Sequence, residues 1–119
     1  MKIIILFFSL TIGLNLFSQS FQEESSVISY MDGKQFYNSE NGLNIGYGYI
    51  SDYNTYGIKV KNKNGAEFYF INVTIDTYGS YADLYGMSAT DGSNFGFRLF
   101  KGKLVVGYGE AEASTFYLK

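Results

Sequence analysis

Residues 46–75 read GYGYISDYNTYGIKVKNKNGAEFYFINVTI, and they decide the fold because they hold two strand-like runs and the turn between them. Residues Ile58, Lys59, Val60 and Lys61 alternate apolar and charged side chains, which is typical of a strand with one buried face. The dipeptide Asn64-Gly65 follows, and it favours the positive φ angles of a type I′ turn. The stretch therefore predicts a β-hairpin.

The return strand of this hairpin, residues 67–75, carries apolar side chains on both faces. One face is predicted to hold Tyr69, Ile71, Val73 and Ile75, and the other Phe68, Phe70, Asn72 and Thr74. A strand covered on both sides lies in the middle of a sheet. The sequence therefore predicts that residues 67–75 form a central strand.

Residues 23–34 contain the one segment with helical spacing. Apolar side chains recur at i, i+1, i+3 and i+4, in Val27, Ile28, Tyr30 and Met31. Either Ser25 or Ser26 is expected to cap the start, and Gly33 is expected to end the helix in the left-handed conformation. The alternative is a first strand that ends in an Asp32-Gly33 turn.

Turn glycines divide the rest of the chain into short strands. Each is followed three residues later by an apolar side chain, at Gly33, Gly42, Gly65, Gly92 and Gly102. The strands are expected at residues 35–38, 43–50, 57–63, 67–75, 81–89, 95–100, 104–109 and 114–118. Eight short strands with tight turns predict an all-β, antiparallel meander that forms a small barrel or a two-layer sandwich. We favour the barrel, because closure removes exposed sheet edges.

Glycines also interrupt two of the predicted strands, in Gly46-Tyr47-Gly48 and Gly107-Tyr108-Gly109. Neither motif continues to the third glycine of a phosphate-binding loop, and neither opens a helix. We therefore interpret them as bends or bulges within strands.

The first twenty residues have the order of a secretory signal peptide. Lys2 precedes an apolar run from residue 3 to residue 17, and Ser18 and Ser20 are the small residues that signal peptidase requires, which places cleavage before Phe21. An uncleaved anchor is the alternative. We expect residues 21–119 to form one small domain, exported to the periplasm or outside the cell, without stable membrane insertion after cleavage. No cysteine follows the apolar run to carry a lipid.

Composition excludes several kinds of partner and chemistry. Without Lys2 the chain has eight basic and eleven acidic side chains, a net charge of −3, and no basic cluster, so nucleic acid is not an expected partner. Histidine and cysteine are both absent, which excludes Ser-His-Asp and Cys-His nucleophiles, disulfides and the ordinary zinc and copper sites. No cofactor is implied, and the chain is not expected to be an enzyme.

Two acidic segments carry side chains that could take part in catalysis or metal binding. Glu110 and Glu112 lie two residues apart, as a pair of catalytic carboxylates would on an extended chain, but a solvated loop is the simpler interpretation. Residues 91–94, Asp-Gly-Ser-Asn, offer oxygen ligands for calcium. They lack the length and the terminal glutamate of a calcium loop, so a plain turn is preferred.

The order of elements resembles that of small bacterial lipocalin-like β-barrels. An initial helical turn and a meander of strands lead to a final pair around residues 104–106 and 115–118. The chain lacks the Gly-x-Trp motif of lipocalins. The resemblance implies a barrel with an apolar cavity, and it leaves the ligand unidentified.

Tyrosines grouped with polar residues form the candidate ligand-binding site. The first group is Tyr53, Asn54 and Tyr56, and the second is Tyr78, Tyr81 and Tyr85. Flat rings beside carboxylate, amide and hydroxyl groups can stack on sugars or contact a protein. The alternative role for these rings is packing of the barrel.

These observations predict a non-enzymatic binding or interaction module. The partner would be a protein, a glycan held by the tyrosines, or a small apolar ligand carried in the barrel interior. The carrier alternative requires that Ile45, Val60, Ile71 and Val106 line a void and do not fill it. An outer-membrane barrel is disfavoured, because membrane strands need about 9–11 residues and Lys59 and Lys61 would face lipid.

Overall fold

The computed structural model describes residues 21–107 and 113–119. Helix α1 (Glu24–Met31) comes first, and a single-turn 3-10 helix (Ser51–Tyr53) joins the second and third strands. The strands are β1 (Phe36–Asn38), β2 (Leu43–Ile50), β3 (Thr55–Lys61), β4 (Glu67–Thr77), β5 (Ala82–Ser88), β6 (Asn94–Phe100), β7 (Lys103–Val106) and β8 (Ser114–Leu118). The predicted order of elements is confirmed.

Each strand pairs antiparallel with the next one along the chain, and β1 also pairs with β8. Phe36 of β1 lies opposite Ile45 on one side and Leu118 on the other, which closes the sheet. The all-β class and the antiparallel meander are therefore confirmed, and of the two predicted architectures the barrel is the one observed. Closure leaves the paired strands without a free edge.

Helix α1 forms as predicted, but its cap differs. Gly33 follows the helix with φ +74°, the left-handed conformation expected of a terminating glycine. The cap is Glu23, so the prediction of Ser25 or Ser26 is wrong. Ser26 instead lies in the first turn, where its Oγ accepts a hydrogen bond from the Glu23 N–H at 3.2 Å. This is the return contact of a capping box.

The turn between β3 and β4 is longer than the predicted type I′ turn. Gly65 has φ +88°, but Asn64 does not have the positive φ that a type I′ turn requires at both central residues. The side chain of Asn62 accepts hydrogen bonds from the N–H groups of Asn64 at 2.9 Å and Ala66 at 3.0 Å. The predicted hairpin is confirmed. The predicted turn type is wrong, because the hydrogen bonds to the Asn62 side chain hold a wider loop.

A β-bulge in β4 changes which side chains face the barrel interior. Asn72 has φ +53°, and the pairing of β4 with β5 shifts between Ile71 and Thr74. Before the bulge Phe70 points inward, and after it Val73 packs on the same core. Because the extra residue reverses the alternation, the predicted faces of this strand are wrong. The inward residues are Phe68, Phe70, Val73 and Ile75.

Helix α1 closes one end of the barrel. Val27 and Met31 are fully buried in the core. The Tyr30 hydroxyl accepts a hydrogen bond from the backbone N–H of Gly102, in the β6–β7 turn, at 2.8 Å. Phe21 is also fully buried and forms a two-hydrogen-bond bridge with Gly79 in the β4–β5 turn. The opposite end, where β1–β2, β3–β4 and β5–β6 turn, is the mouth.

Some sequence predictions concern residues outside the described ranges. These are the leader at residues 1–20, the strand positions Tyr108 and Gly109, and the carboxylate pair Glu110 and Glu112. Across residues 21–107 and 113–119, no helix is both long enough and apolar enough to cross a membrane.

Candidate functional site

An apolar cavity of about 220 Å³ occupies the mouth half of the barrel interior. Inward positions of six strands contribute its walls, and every lining residue is apolar. The lining consists of Leu43, Ile45, Val60, Phe68, Phe70, Phe95, Phe97, Val106 and Phe116. The cavity is open to solvent at the mouth, where Phe68 and Phe95 remain 48% and 41% exposed.

Phenylalanine rings give the cavity its shape. The Phe70 ring meets Phe95 edge to face at 5.1 Å between centroids, and it meets Phe97 at 5.2 Å. These edge-to-face pairs are favourable and directional, so they orient the three rings relative to one another. Phe97 and Phe116 are almost completely buried and form the deeper wall. The cavity is therefore lined by ordered rings as well as by aliphatic side chains.

Glycines on neighbouring strands hold Phe70 in place. A Cβ atom at Gly86 would lie 2.8 Å from the Cβ of Phe70, and one at Gly57 would lie 2.4 Å from the Phe70 carbonyl oxygen. Both distances are shorter than a carbon–carbon or carbon–oxygen contact allows. Only glycine at these two positions lets β4 approach its neighbours with Phe70 in its observed place.

Three of the four residues expected to line a void do so, and one does not. Ile45, Val60 and Val106 line the cavity. Ile71 does not line it, so that prediction is wrong. The reason is the bulge at Asn72, because inward positions change from even to odd numbers there and leave Ile71 on the outer face.

The first tyrosine group lies on the β2–β3 hairpin. The Tyr56 ring packs against the rings of Tyr47 and Tyr49, at centroid distances of 6.2 and 5.3 Å. These rings lie on the same face of the sheet as the inward residues of β2. Tyr53, in the 3-10 helix, instead packs edge to face on Tyr69 at 6.0 Å on the outer wall. Tyr53 and Tyr56 therefore do not form one platform. They are 45% and 60% exposed.

Asn54 ends the 3-10 helix in the left-handed conformation, with φ +53°. Its side-chain oxygen accepts a hydrogen bond from the Tyr49 hydroxyl. Both features fit a structural role in the hairpin tip, because asparagine tolerates this backbone conformation and can hold the turn. The Asn54 side chain is thus bonded to a residue of its own hairpin.

The second tyrosine group lies on the outer wall around β5. The rings of Tyr78 and Tyr81 stack with their centroids 4.9 Å apart. The Tyr81 ring also contacts the Phe100 ring, with 5.9 Å between centroids. Tyr85 lies further along β5 and is 38% exposed. The sequence predicts that these three tyrosines form one group, and in the structure Tyr78 and Tyr81 are in direct contact.

A charged pair under these rings was not predicted. Arg98 of β6 forms a two-pronged ion pair with Asp83 of β5, with N–O distances of 2.8 and 3.0 Å. Its guanidinium also lies 4.4 Å from the centroid of the Tyr81 ring. Asp83 is 2% exposed although it points away from the barrel interior. The sequence does not reveal this pair, because the two residues become neighbours only through the β5–β6 register.

Desolvation, then the negative charges of Asp76 and Asp83, raise the pKa of the Tyr78 hydroxyl. Tyr47 has a raised pKa for a similar reason, first burial and then Glu24 of α1. Both Tyr47 and Tyr78 are therefore neutral at physiological pH. A neutral tyrosine can stack and donate a hydrogen bond, and it offers no general base.

Two further surface features contain polar groups. A groove of about 350 Å³ crosses the outer wall over Gly46 and Gly48, which are strand positions as predicted. Its polar lining residues are Gln35, Lys59, Lys61 and Glu67, with Tyr47 beside them.

The Asp91 carboxylate accepts hydrogen bonds from the hydroxyl and the N–H of Ser93, which lower the pKa of Asp91. Residues 91–93 lie in the plain connection between β5 and β6, and Asn94 begins β6.

Among the described residues, no three metal-binding side chains come together. No protein-family model, curated protein or solved structure matches the chain. The eight-stranded closed barrel is consistent with the lipocalin-like architecture that the order of elements resembles.

Proposed function

We propose that this protein is an exported, non-enzymatic binding protein whose barrel holds a small apolar ligand. The observation that carries the proposal is the open cavity of about 220 Å³, lined by apolar side chains alone. Well-packed small proteins contain few voids of this size, since cores reach the density of organic crystals. A wall of half-exposed phenylalanines at an opening is stabilised when an apolar molecule displaces water from it.

The size of the cavity limits the ligand. An engineered apolar cavity of roughly 150 Å³ binds benzene. The cavity here is somewhat larger, so it accommodates one or two fused rings or a short alkyl chain. Any polar group of the ligand would have to lie at the mouth, because burying it among hydrocarbon without a hydrogen-bond partner costs roughly 1–3 kcal/mol.

Naphthalene is a suitable first probe, and two adjacent valines give a matched pair of variants. Val106 lines the cavity, while Val105 pairs with Arg98 and Thr115 on the outer face of the same strand. Titration of the unmodified protein should give a dissociation constant on the order of 10 μM. Val106→Phe places a ring in the cavity and should weaken binding at least tenfold. Val105→Phe should leave it unchanged.

Melting temperatures of both variants separate loss of the cavity from loss of the fold. If Val106→Phe does not fold, Phe68→Ala at the exposed mouth provides the second test, since it removes a lining ring without burying anything new. Equal naphthalene affinity of Val106→Phe and Val105→Phe would place the probe elsewhere and contradict the proposal.

Export is part of the proposal and is supported by the leader-like order of residues 1–20. A native mass spectrum of the protein purified from its own exported fraction tests export and cargo together. We expect a chain that begins at Phe21 and carries a small adduct that leaves on denaturation. A bare chain would count against a stable cargo, and a chain that retains residues 1–20 would count against cleavage.

A further inference from the structure

Two aspartates face each other directly on the outer wall of the barrel. Asp76 of β4 and Asp83 of β5 are partners in the strand register. Like charges at directly opposite positions of a sheet destabilise it. Arg98 compensates Asp83 through two hydrogen bonds. Within residues 21–107 and 113–119, Asp76 forms no ion pair, so this part of the wall is short of one positive charge.

Arg98 shows which group this wall accommodates. Its guanidinium lies against the carboxylate of Asp83 and over the ring of Tyr81, at 4.4 Å from the centroid. A planar guanidinium suits both contacts, because it pairs with a carboxylate through two parallel hydrogen bonds and stacks on an aromatic face. The unit is thus one carboxylate, one tyrosine ring and one guanidinium.

The carboxylate and the ring of this unit are repeated next to it. Asp76 lies opposite Asp83 in the register, and Tyr78 stacks on Tyr81 at 4.9 Å. Tyr78 is 53% exposed, and no lysine or arginine of the described chain lies over its ring. Desolvation, and after it the charges of Asp76 and Asp83, raise the pKa of the Tyr78 hydroxyl, in keeping with the strand register and the ring stacking.

We propose that Asp76 and Tyr78 bind a guanidinium group presented by an arginine of a partner protein. The incoming group would repeat the position of Arg98, paired with Asp76 and stacked on the exposed face of Tyr78. Charge complementarity favours this occupant over a neutral sugar, because the guanidinium also offsets the repulsion between Asp76 and Asp83. The site lies on the outer wall and is independent of the cavity.

The test uses N-acetylarginine amide as the probe and backbone amide shifts as the readout. Saturable shifts should be confined to residues around Asp76, Tyr78 and Gly79, with a dissociation constant on the order of 10 mM, as expected for one exposed ion pair and one ring contact. N-acetylcitrulline amide, which has the same length and no charge, should give no saturable shift. Raising the salt concentration should weaken arginine binding.

Variants locate the site. Asp76→Asn and Tyr78→Ala should each weaken binding at least threefold. Asp52→Asn and Tyr117→Ala change an exposed aspartate and an exposed tyrosine elsewhere on the barrel, and they should leave binding unchanged. Equal weakening by Asp52→Asn, or saturable binding of the neutral amide, would overturn the proposal. Saturable binding of a neutral oligosaccharide that survives Asp76→Asn would overturn it in favour of a glycan site.

Discussion

Phe70 forms part of the cavity wall, and two strand glycines leave it no room to move. A methyl group at Gly86 would lie 2.8 Å from the Phe70 Cβ, and one at Gly57 would lie 2.4 Å from the Phe70 backbone oxygen. Gly48 is a matched control, because a methyl group there would lie 3.7 Å from the flexible side chain of Lys59. We therefore expect alanine at these three positions to have three different effects on stability.

The magnitudes follow from two opposing contributions. Replacing glycine by alanine within a strand stabilises by about 0.5–1 kcal/mol when the backbone accepts it. Overpacking costs about 1–3 kcal/mol. Gly48→Ala should therefore be neutral or slightly stabilising, and Gly86→Ala should lose about 1–2 kcal/mol. Gly57→Ala should lose about 2 kcal/mol or more, since its obstacle is backbone and cannot rotate away.

Differential scanning calorimetry at neutral pH measures this order directly. In a domain of this size 1 kcal/mol shifts the melting temperature by about 4–8 °C, so Gly48→Ala and Gly57→Ala should differ by more than about 10 °C. Gly86→Ala should also weaken naphthalene binding, because the new methyl group pushes the Phe70 ring toward the cavity. Equal stability of Gly86→Ala and Gly48→Ala would refute the close packing on which the cavity wall depends.

Two other predictions concern the β3–β4 hairpin. The hydrogen bond from the Tyr69 hydroxyl to Glu67, at 2.7 Å, raises the pKa of Tyr69 to about 12. The folded protein therefore holds this proton more tightly than the unfolded chain, so the contribution to stability is complete below about pH 10 and is lost as the pH rises through about 12. Tyr69→Phe should flatten the fall in melting temperature over that range, and an unchanged slope would contradict the assignment. Gly65→Val forces a β-branched residue to φ +88° and should cost about 1–3 kcal/mol in urea unfolding. An unchanged urea midpoint would show that the loop relaxes.

Local chemistry made much of the fold predictable. The alternation around Val60 marked an inward face, and glycines such as Gly42 and Gly92 marked turns, because these signals depend on neighbouring residues alone. The pairing of Arg98 with Asp83 was beyond reach, since it depends on the register between two strands. The prediction for Ile71 failed for a third reason. The left-handed conformation of Asn72 is accessible to asparagine, but nothing in the sequence requires it.

The bulge at Asn72 decides where the cavity lies. If β4 alternated regularly beyond Phe70, Asn72 and Thr74 would point into the core beside buried Leu84, and each unsatisfied polar group would cost roughly 1–3 kcal/mol. The extra residue places Val73 and Ile75 there instead, so the core stays apolar up to the helix. Because α1 closes that end, the open volume is confined to the mouth side of the bulge. A ligand of the kind proposed would therefore enter past Phe68, and its outer part would meet solvent there.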